Sequence, residues 1–470
     1  MCRPIAILLL FIACCLHSQA QVSGTDSLLP ARSIIENVII TGNTRTRTYI
    51  VERELTFRIG DTLPAYVLES AIERSRQNLM NTALFNFADI KYFRTSGDAV
   101  IIVIDLTERW YLWPAPVFEI ADRNFNEWWV RRDLARTNYG LLLRQENLTG
   151  RDDILQLQAI SGYTRRLGFS YQIPYINRKL STGLTIGFYR TKQRETVYNT
   201  FANKLQFFND PDVFVRYEFN AYVRLTKRKG LYHFYNTTID YRKTEVADTV
   251  IRLNPLYFAD AFPLQQHIAL GWSYRYDRRD YQPYALRGHL FELEVVKTGL
   301  GLLRHEPNLM HISSGFRLYQ PLKKRWFASL ALKGRITQRT NAPFFNQRAL
   351  GYGGDYIRGY DLYVMNGQDY TLFRSALKFN LLPTKVFMLP GINTNRFKKV
   401  PLTAYLTAFW DAGYVSDPVF SQRNFLGNRW QYGYGISADI VTYYDIVLRF
   451  EYAFNRVGDQ GFFFRTGAVF

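Results

Sequence analysis

Pro401-Leu402-Thr403-Ala404-Tyr405-Leu406-Thr407-Ala408-Phe409-Trp410-Asp411-Ala412-Gly413 alternates along its length. Leu402, Ala404, Leu406, Ala408 and Trp410 fall on one face. Thr403, Tyr405, Thr407, Phe409 and Asp411 fall on the other. Period two is the mark of an extended strand with two unlike faces. Ile268 to Asp277 repeats it, with Ile268, Leu270, Trp272, Tyr274 and Tyr276 opposed by Ala269, Gly271, Ser273, Arg275 and Asp277. In His289 to Val296, Phe291, Leu293 and Val295 oppose Glu292 and Glu294. Strands of about ten residues, rich in terminal aromatics and separated by polar turns, are the signature of a transmembrane β-barrel. A soluble sandwich also alternates, but seldom with strands this long and this aromatic.

Working outward, the pattern predicts sixteen strands near 116–122, 138–148, 153–163, 167–175, 181–192, 212–226, 231–243, 267–277, 289–300, 309–320, 326–338, 370–382, 401–414, 430–442, 445–455 and 462–470. An even count puts both barrel ends on the same side. Even-numbered strands return through short turns such as 226–230 and 320–325. Odd-numbered strands lead mostly into long connections, 193–211, 244–266 and 416–429, with 383–400 as a long exception on the short-turn side. A barrel must close, because an open edge leaves backbone donors and acceptors unpaired in lipid.

Composition fits. The 470 residues are 47% apolar and 16% aromatic, which excludes disorder, and carry 59 Lys plus Arg against 40 Asp plus Glu. Apart from the first twenty residues, no run of 18 apolar residues occurs, so helical membrane spans are excluded. The formal charge of +19 invites a nucleic-acid reading, but no zinc spacing, helix-turn-helix or RNA-binding motif accompanies it. Basic turns and a basic lumen facing anionic lipid head groups suffice. Cys2, Cys14 and Cys15 are the three cysteines. Residues 1–20 read as a signal peptide, with Arg3, an apolar run from Ile5 to Leu16 and Ser18-Gln19-Ala20 before the cleavage point. The expected division is signal peptide 1–20, tether 21–32, a small domain 33–109 and the barrel 110–470.

In the small domain, Ile34 to Ile40 reads as a strand, followed by a helix from Thr48, a second helix from Leu63 to Asn81, and strands Phe87–Phe93 and Ala99–Leu106. The β-α-α-β-β order resembles a POTRA domain, the periplasmic polypeptide-transport module. The marks stand at Gly42-Asn43, Arg53-Glu54-Leu55, Gly60-Asp61 and Leu84-Phe85. One copy is present.

In the last third, Gly351-Tyr352-Gly353-Gly354-Asp355 lacks the third glycine of a dinucleotide loop. Ile357-Arg358-Gly359-Tyr360 instead resembles the "[VI]RG[FY]" tip of the sixth outer loop in the BamA/TamA outer-membrane insertion superfamily. It falls between the eleventh and twelfth strands, and Phe409-Trp410-Asp411-Ala412-Gly413 resembles that family's element on the thirteenth. The resemblance implies that the tip folds into the lumen and that Arg358 pairs with Asp411, Gly359 and Gly413 belonging to the same tether. A planar guanidinium can fork a carboxylate as an ammonium cannot. The family often carries a Glu on the twelfth strand; Lys378 stands near that place, and sharing Asp411 would weaken the tether. Asp277, Arg279, Asp280 and Gly288 resemble the family's periplasmic turn between strands eight and nine, and Phe462, Phe464, Gly467 and Phe470 an outer-membrane β-signal.

The overall expectation is a mainly β chain, a 16-stranded antiparallel transmembrane β-barrel preceded by one small α+β POTRA domain, in a bacterial outer membrane with the POTRA domain in the periplasm. The resemblance implies insertion or translocation of polypeptides without ATP or any cofactor. Its partners would be outer-membrane lipid and lipopolysaccharide, unfolded clients at the POTRA domain and the barrel seam, and periplasmic accessory proteins. The alternative is a secretion channel or passive pore. Catalysis is not expected: His233, His267, His289, His305 and His311 form no HExxH pair, and no G-x-S-x-G occurs.

Overall fold

The computed structural model describes residues 32–120, 137–338, 342–391 and 395–467. The expected signal peptide, the tether before Arg32 and the terminal Phe470 lie outside them. The N-terminal unit comprises β1 (Arg32–Thr41), α1 (Thr48–Glu54), β2 (Thr62–Pro64), α2 (Ala65–Asn81), β3 (Phe85–Arg94) and β4 (Ala99–Glu108). Its sheet runs β2-β1-β4-β3. Alternation on β4 turns Val100, Ile102, Ile104 and Leu106 toward the helices, where they join Ile50, Val51, Leu68 and Leu79 in one buried core.

The strand β2 departs from the expected order, in which the second helix begins at Leu63. Gly60 reverses the chain at a φ of +91°, so Thr62–Pro64 pairs with Arg32–Ile34. Pro64 cannot donate to a helix and stands as the cap before Ala65.

Sixteen strands then form one sheet in which each pairs antiparallel with the next. They begin with β5 (Leu112–Ile120), β6 (Thr137–Glu146), β7 (Ile154–Gly162), β8 (Thr164–Ile173) and β9 (Thr182–Gln193). After a separate hairpin, β10 (Glu195–Phe201) and β11 (Lys204–Asn209), come β12 (Arg216–Lys229), β13 (His233–Val246), β14 (Leu264–Asp277), β15 (Gly288–Thr298), β16 (Leu309–Lys323) and β17 (Trp326–Thr337). The long loop that follows holds the short pair β18 (Arg348–Leu350) and β19 (Met365–Asn366). The sheet ends with β20 (Asp369–Met388), β21 (Lys399–Ser416), β22 (Gln431–Val441), β23 (Val447–Asn455) and β24 (Gln460–Thr466).

The sheet curls round until β5 reaches the β22–β23 turn. Trp113 on β5 packs edge-on against Tyr444, in the β22–β23 turn, at 5.0 Å between centroids. Arg109, just ahead of β5, pairs with Asp445 in the same turn at 2.6 Å. Among the described residues no ladder joins β5 to β24, which leaves a seam.

The barrel is inside-out relative to a water-soluble core. Leu167, Ile239, Ile336, Ile436 and Phe462 are each more than half exposed on the outer face, whereas Asp411, Asp439 and Glu451 are fully buried within. Apolar-out, polar-in alternation is what a lipid-facing barrel requires.

Three connections differ from the sequence reading. The first strand begins at Leu112, not 116, because Pro114 and Pro116 are tolerated in an end strand with one partner. The expected loop 193–211 contains the β10–β11 hairpin, whose Val197, Tyr198 and Phe208 pack on Val250, Tyr257, Phe258 and Phe344 to form a small apolar cap. The expected loop 383–400 is strand at both ends: Lys385 to Met388 pairs with Lys399 to Leu402. The register shifts between Leu382 and Lys385, a bulge that accommodates Pro383 without breaking the hairpin.

Candidate functional site

The loop between β17 and β20 folds back into the lumen. Its tip reverses at Gly359, whose φ of +88° suits glycine alone, and a Cβ there would meet Phe454 O at 3.0 Å. The floor is also built of glycine. A Cβ on Gly433 of β22 would lie 1.9 Å from Arg358 O, and one on Gly413 of β21 would lie 2.7 Å from the Ile357 side chain. Ile357 is buried in an apolar cluster with Leu350, Tyr370, Leu372, Val415 and Leu426.

Arg358 forks Asp411. Its Nε donates to Oδ2 at 2.8 Å and its Nη2 to Oδ1 at 2.5 Å, while its backbone N–H donates to Oδ2 at 3.1 Å. Both side chains are fully buried. Nη2 also donates to Ser375 O at 3.0 Å, and the guanidinium lies 4.0 Å above the Phe409 ring. Strand alternation puts Phe409 and Asp411 on the same inner face, so one β21 segment supplies both a carboxylate and a π face.

The tip is fastened to more than β21. Tyr360 donates to Gln431 of β22 at 3.0 Å, Asn455 of β23 donates to Gly359 O at 2.8 Å, and Arg465 of β24 pairs with Asp361 at 2.6 Å. Four consecutive strands therefore hold five consecutive loop residues. Sequence reading singled out Arg358 and Asp411 but not Gln431, Asn455, Asp361 or Arg465, which carry no local motif; only the parity of their strands marks three of them as inward-facing.

Lys378 is buried on β20 opposite Thr407, with its ammonium 4.2 Å above the Tyr284 ring. The residue in register with Asp411 is Arg374. It reaches outward along the loop, its Nη2 donating to Gly354 O at 3.1 Å and its Nε to Tyr356 O at 3.1 Å.

Asp277, Arg279, Asp280 and Gly288 shape the β14–β15 turn. Arg279 pairs with Asp277 at 2.7 Å. Asp280 Oδ1 accepts from the backbone N–H groups of Tyr281, Leu286 and Arg287. Gly288 has a φ of +97°, and a Cβ there would strike Arg278 O at 2.1 Å. This turn lifts Tyr284 into the lumen, where its hydroxyl donates to Asp439 of β22 at 2.7 Å. Asp439 is forked by Arg449 of β23 at 2.7 and 3.0 Å.

At the barrel's end, Phe462 and Phe464 flank Phe450 on the outer face, with centroids 6.2 and 5.2 Å away. Gly467 closes the strand with its N–H on Val447 O at 2.8 Å. The Arg53-Glu54-Leu55 mark of the small domain turns out to dock it. Arg228, at the end of β12, forks Glu54 at 2.5 and 2.7 Å. Arg53 donates to Leu180 O and Gly230 O.

Residues 33–109 match the POTRA family model, described as a surface antigen variable number repeat. No curated protein sequence matches the chain. Among solved structures, the chain is similar to BamA from Haemophilus ducreyi lacking POTRA domains 1–3, at 14% identity and a TM-score of 0.49, over 93% of this chain and 84% of that one. It is also similar to CdiB from Acinetobacter baumannii, at 13% and 0.49 over 93% and 74%, and to CdiB from Escherichia coli, at 10% and 0.47 over 96% and 93%.

Proposed function

We propose, from the premise that the chain is a BamA/TamA-like POTRA-and-barrel protein, that it resides in a bacterial outer membrane with its POTRA domain in the periplasm and inserts client polypeptides through its seam. The observation that carries this reading is the unequal seam. The C-terminal strands β21 to β24 are bound together from inside by the loop tip, while no described ladder fastens them to β5. A barrel held on one side of its seam, with no described ladder across it, can part there without losing its wall. Unpaired backbone in lipid costs several kcal/mol per group, which drives a client strand toward such an edge. The POTRA sheet edge offers an earlier stop for the client by strand addition. Lipopolysaccharide, the basic turns' anionic lipid neighbours and periplasmic accessory proteins belong to the same proposal.

The test is a disulfide engineered between β5 and β24. The chain's own cysteines all lie within its first fifteen residues, so a mature protein would offer no competing thiol. In vesicles, the oxidised protein should lose assembly of an unfolded barrel client and regain it on reduction. Full assembly by the locked protein would refute lateral insertion.

A polar chamber of about 610 Å³ between the POTRA domain and the lumen wall, lined by Glu54, Arg228, Arg275, Asp277, Glu292 and Lys333, favours a second reading, passage through the lumen. Conductance that persists in the locked protein while insertion stops would separate the two.

A further inference from the structure

The barrel wall is not level at its POTRA end. Pairing of β17 with β20 stops at Trp326 and Phe379, and pairing of β21 with β22 stops at Thr403 and Val441. The β20–β21 ladder runs on to Met388 and Lys399. At about 3.3 Å per residue, it carries a two-stranded ribbon about 13 Å beyond its neighbours.

The ribbon has two unlike sides. On one, the Lys399 ammonium lies 5.7 Å from the centroid of the Phe87 ring in the POTRA domain. On the other, alternation along β21 continues the outer face of Leu406 and Trp410 through Leu402 and Val400. Their partners in register are Lys385 and Phe387, both exposed. The side that prolongs the lipid-facing wall therefore mixes apolar side chains with a cation.

More cations stand beside it. The N–H of Asn380 donates to Arg325 O at 2.8 Å, which ties the base of the ribbon to Lys323-Lys324-Arg325-Trp326 at the β16–β17 turn. Those four residues are exposed, and the Trp326 ring lies 4.9 Å from that of Phe379. No Asp or Glu occurs from 307 to 354 or from 370 to 410. The ion pairs made by β16 and β17, Arg317 with Glu292 and Lys333 with Asp355, lie farther along the strands. Among the described residues, Lys323, Lys324, Arg325 and Lys385 have no carboxylate partner.

We infer that this corner of the barrel, the β16–β17 turn with the outer side of the β20–β21 ribbon, is a binding site for anionic phospholipid of the leaflet that faces the POTRA domain. The phosphate meets the four cations, while Trp326, Phe387 and Leu402 lie against the glycerol and upper acyl region. Position selects lipid over an acidic protein. The cations and rings share the side continuous with the lipid-facing strands, and the opposite side is turned to the POTRA domain. Each Lys or Arg near an anionic bilayer surface adds roughly fivefold to affinity, and aromatic rings settle at the same depth. The bound lipid seats the wall that holds the loop tip. This inference rests on the outer-membrane placement proposed above and goes beyond it in naming the site and the lipid.

The experiment uses the full chain in phosphatidylcholine vesicles doped with nitroxide-labelled phosphatidylglycerol or, in parallel, with nitroxide-labelled phosphatidylcholine. A fluorophore on Phe387→Cys reports the lipid beside the ribbon. One on Ile336→Cys, exposed at the far end of β17, is the comparison. Quenching at Phe387→Cys should favour phosphatidylglycerol by about threefold or more, and quenching at Ile336→Cys should show no preference. The preference should vanish in molar salt, where charges reach only about 3 Å. It should vanish equally in a chain carrying Lys323→Gln, Lys324→Gln, Arg325→Gln and Lys385→Gln. Equal quenching by the two lipids at Phe387→Cys, the same preference at Ile336→Cys, or a preference that survives salt or the four substitutions overturns the inference. So does an absence of quenching by either lipid, which would leave the ribbon to a protein partner. Should the fourfold variant fail to fold, the salt comparison decides alone. If vesicles do not protect the unaltered barrel from protease, it is the membrane placement that fails.

Discussion

The lumen walls on the two sides of the seam are built by different physics. On the wall from β20 to β24, charges are deeply buried and paired: Arg358 with Asp411, Arg449 with Asp439 and Arg465 with Asp361. On the wall from β6 to β9, the inward side chains include half-buried Gln156, Gln158 and Arg166, and glycines leave room for large rings. A Cβ on Gly187 would lie 2.8 Å from the Tyr222 ring. A wall of half-buried polar groups, whose Arg144–Glu146 pair is partly exposed, can shift without stranding a fully buried charge. A wall whose ion pairs also anchor a loop cannot. The expected consequence is a seam between a fixed side and a yielding one.

The largest break in that comparison is Arg358→Ala. It leaves the Asp411 carboxylate buried without its partner, a loss of about 3–5 kcal/mol, less where water can enter. Unfolding of the purified barrel, followed by heat or denaturant, should show it. Arg358→Lys should recover only part, since an ammonium cannot fork both oxygens.

Next comes a pair of glycines. Gly433→Ala drives a methyl into the backbone carbonyl of Arg358, so the loop tip must lift; about 1–3 kcal/mol is expected. Gly168→Ala, on the other wall, meets side-chain atoms of Tyr189 and Gln158 at 2.4 and 2.5 Å, which can turn aside where a backbone carbonyl cannot, and should cost about 1 kcal/mol by the same measurement. Equal costs would erase the distinction between the walls.

The smallest effect lies outside the barrel. Burial alone would raise the Glu108 carboxyl, but hydrogen bonds from Thr46, Thr44 and the Arg45 N–H outweigh it and hold the group below the usual glutamate range. A depressed folded value stabilises the POTRA domain above the ordinary glutamate pKa. That stability is lost as pH falls through the folded value. Glu108→Gln, which keeps an acceptor for part of this network, should cost about 0.5–1 kcal/mol at neutral pH and flatten the acid limb of a denaturation profile.

Period two made the barrel legible, because lipid outside and polar lumen inside force opposite chemistry on successive residues of a strand such as Pro401–Gly413. The loop tip was legible for a related reason: Arg358 and Asp411 each sit in a short recognisable stretch. What lay hidden depends on three-dimensional neighbours. Asp361 meets Arg465 across 104 positions, and Glu54 meets Arg228 across 174, with nothing local to announce either. The strands run to Leu112 and to Met388, past Pro114, Pro116 and Pro383, which read as breakers in sequence. An end strand with one partner, or a bulge, removes the need for its missing donor.

The central claim is that Arg358 and Asp411 act as one unit holding the loop to the fixed wall. A double-mutant cycle with Arg358→Ala and Asp411→Ala, read as unfolding free energy of the full chain, tests it most directly. A coupling of about 2–3 kcal/mol is the expected result. Losses that add to within about 0.5 kcal/mol would mean that the two residues stabilise the barrel independently, and the clamp would be refuted.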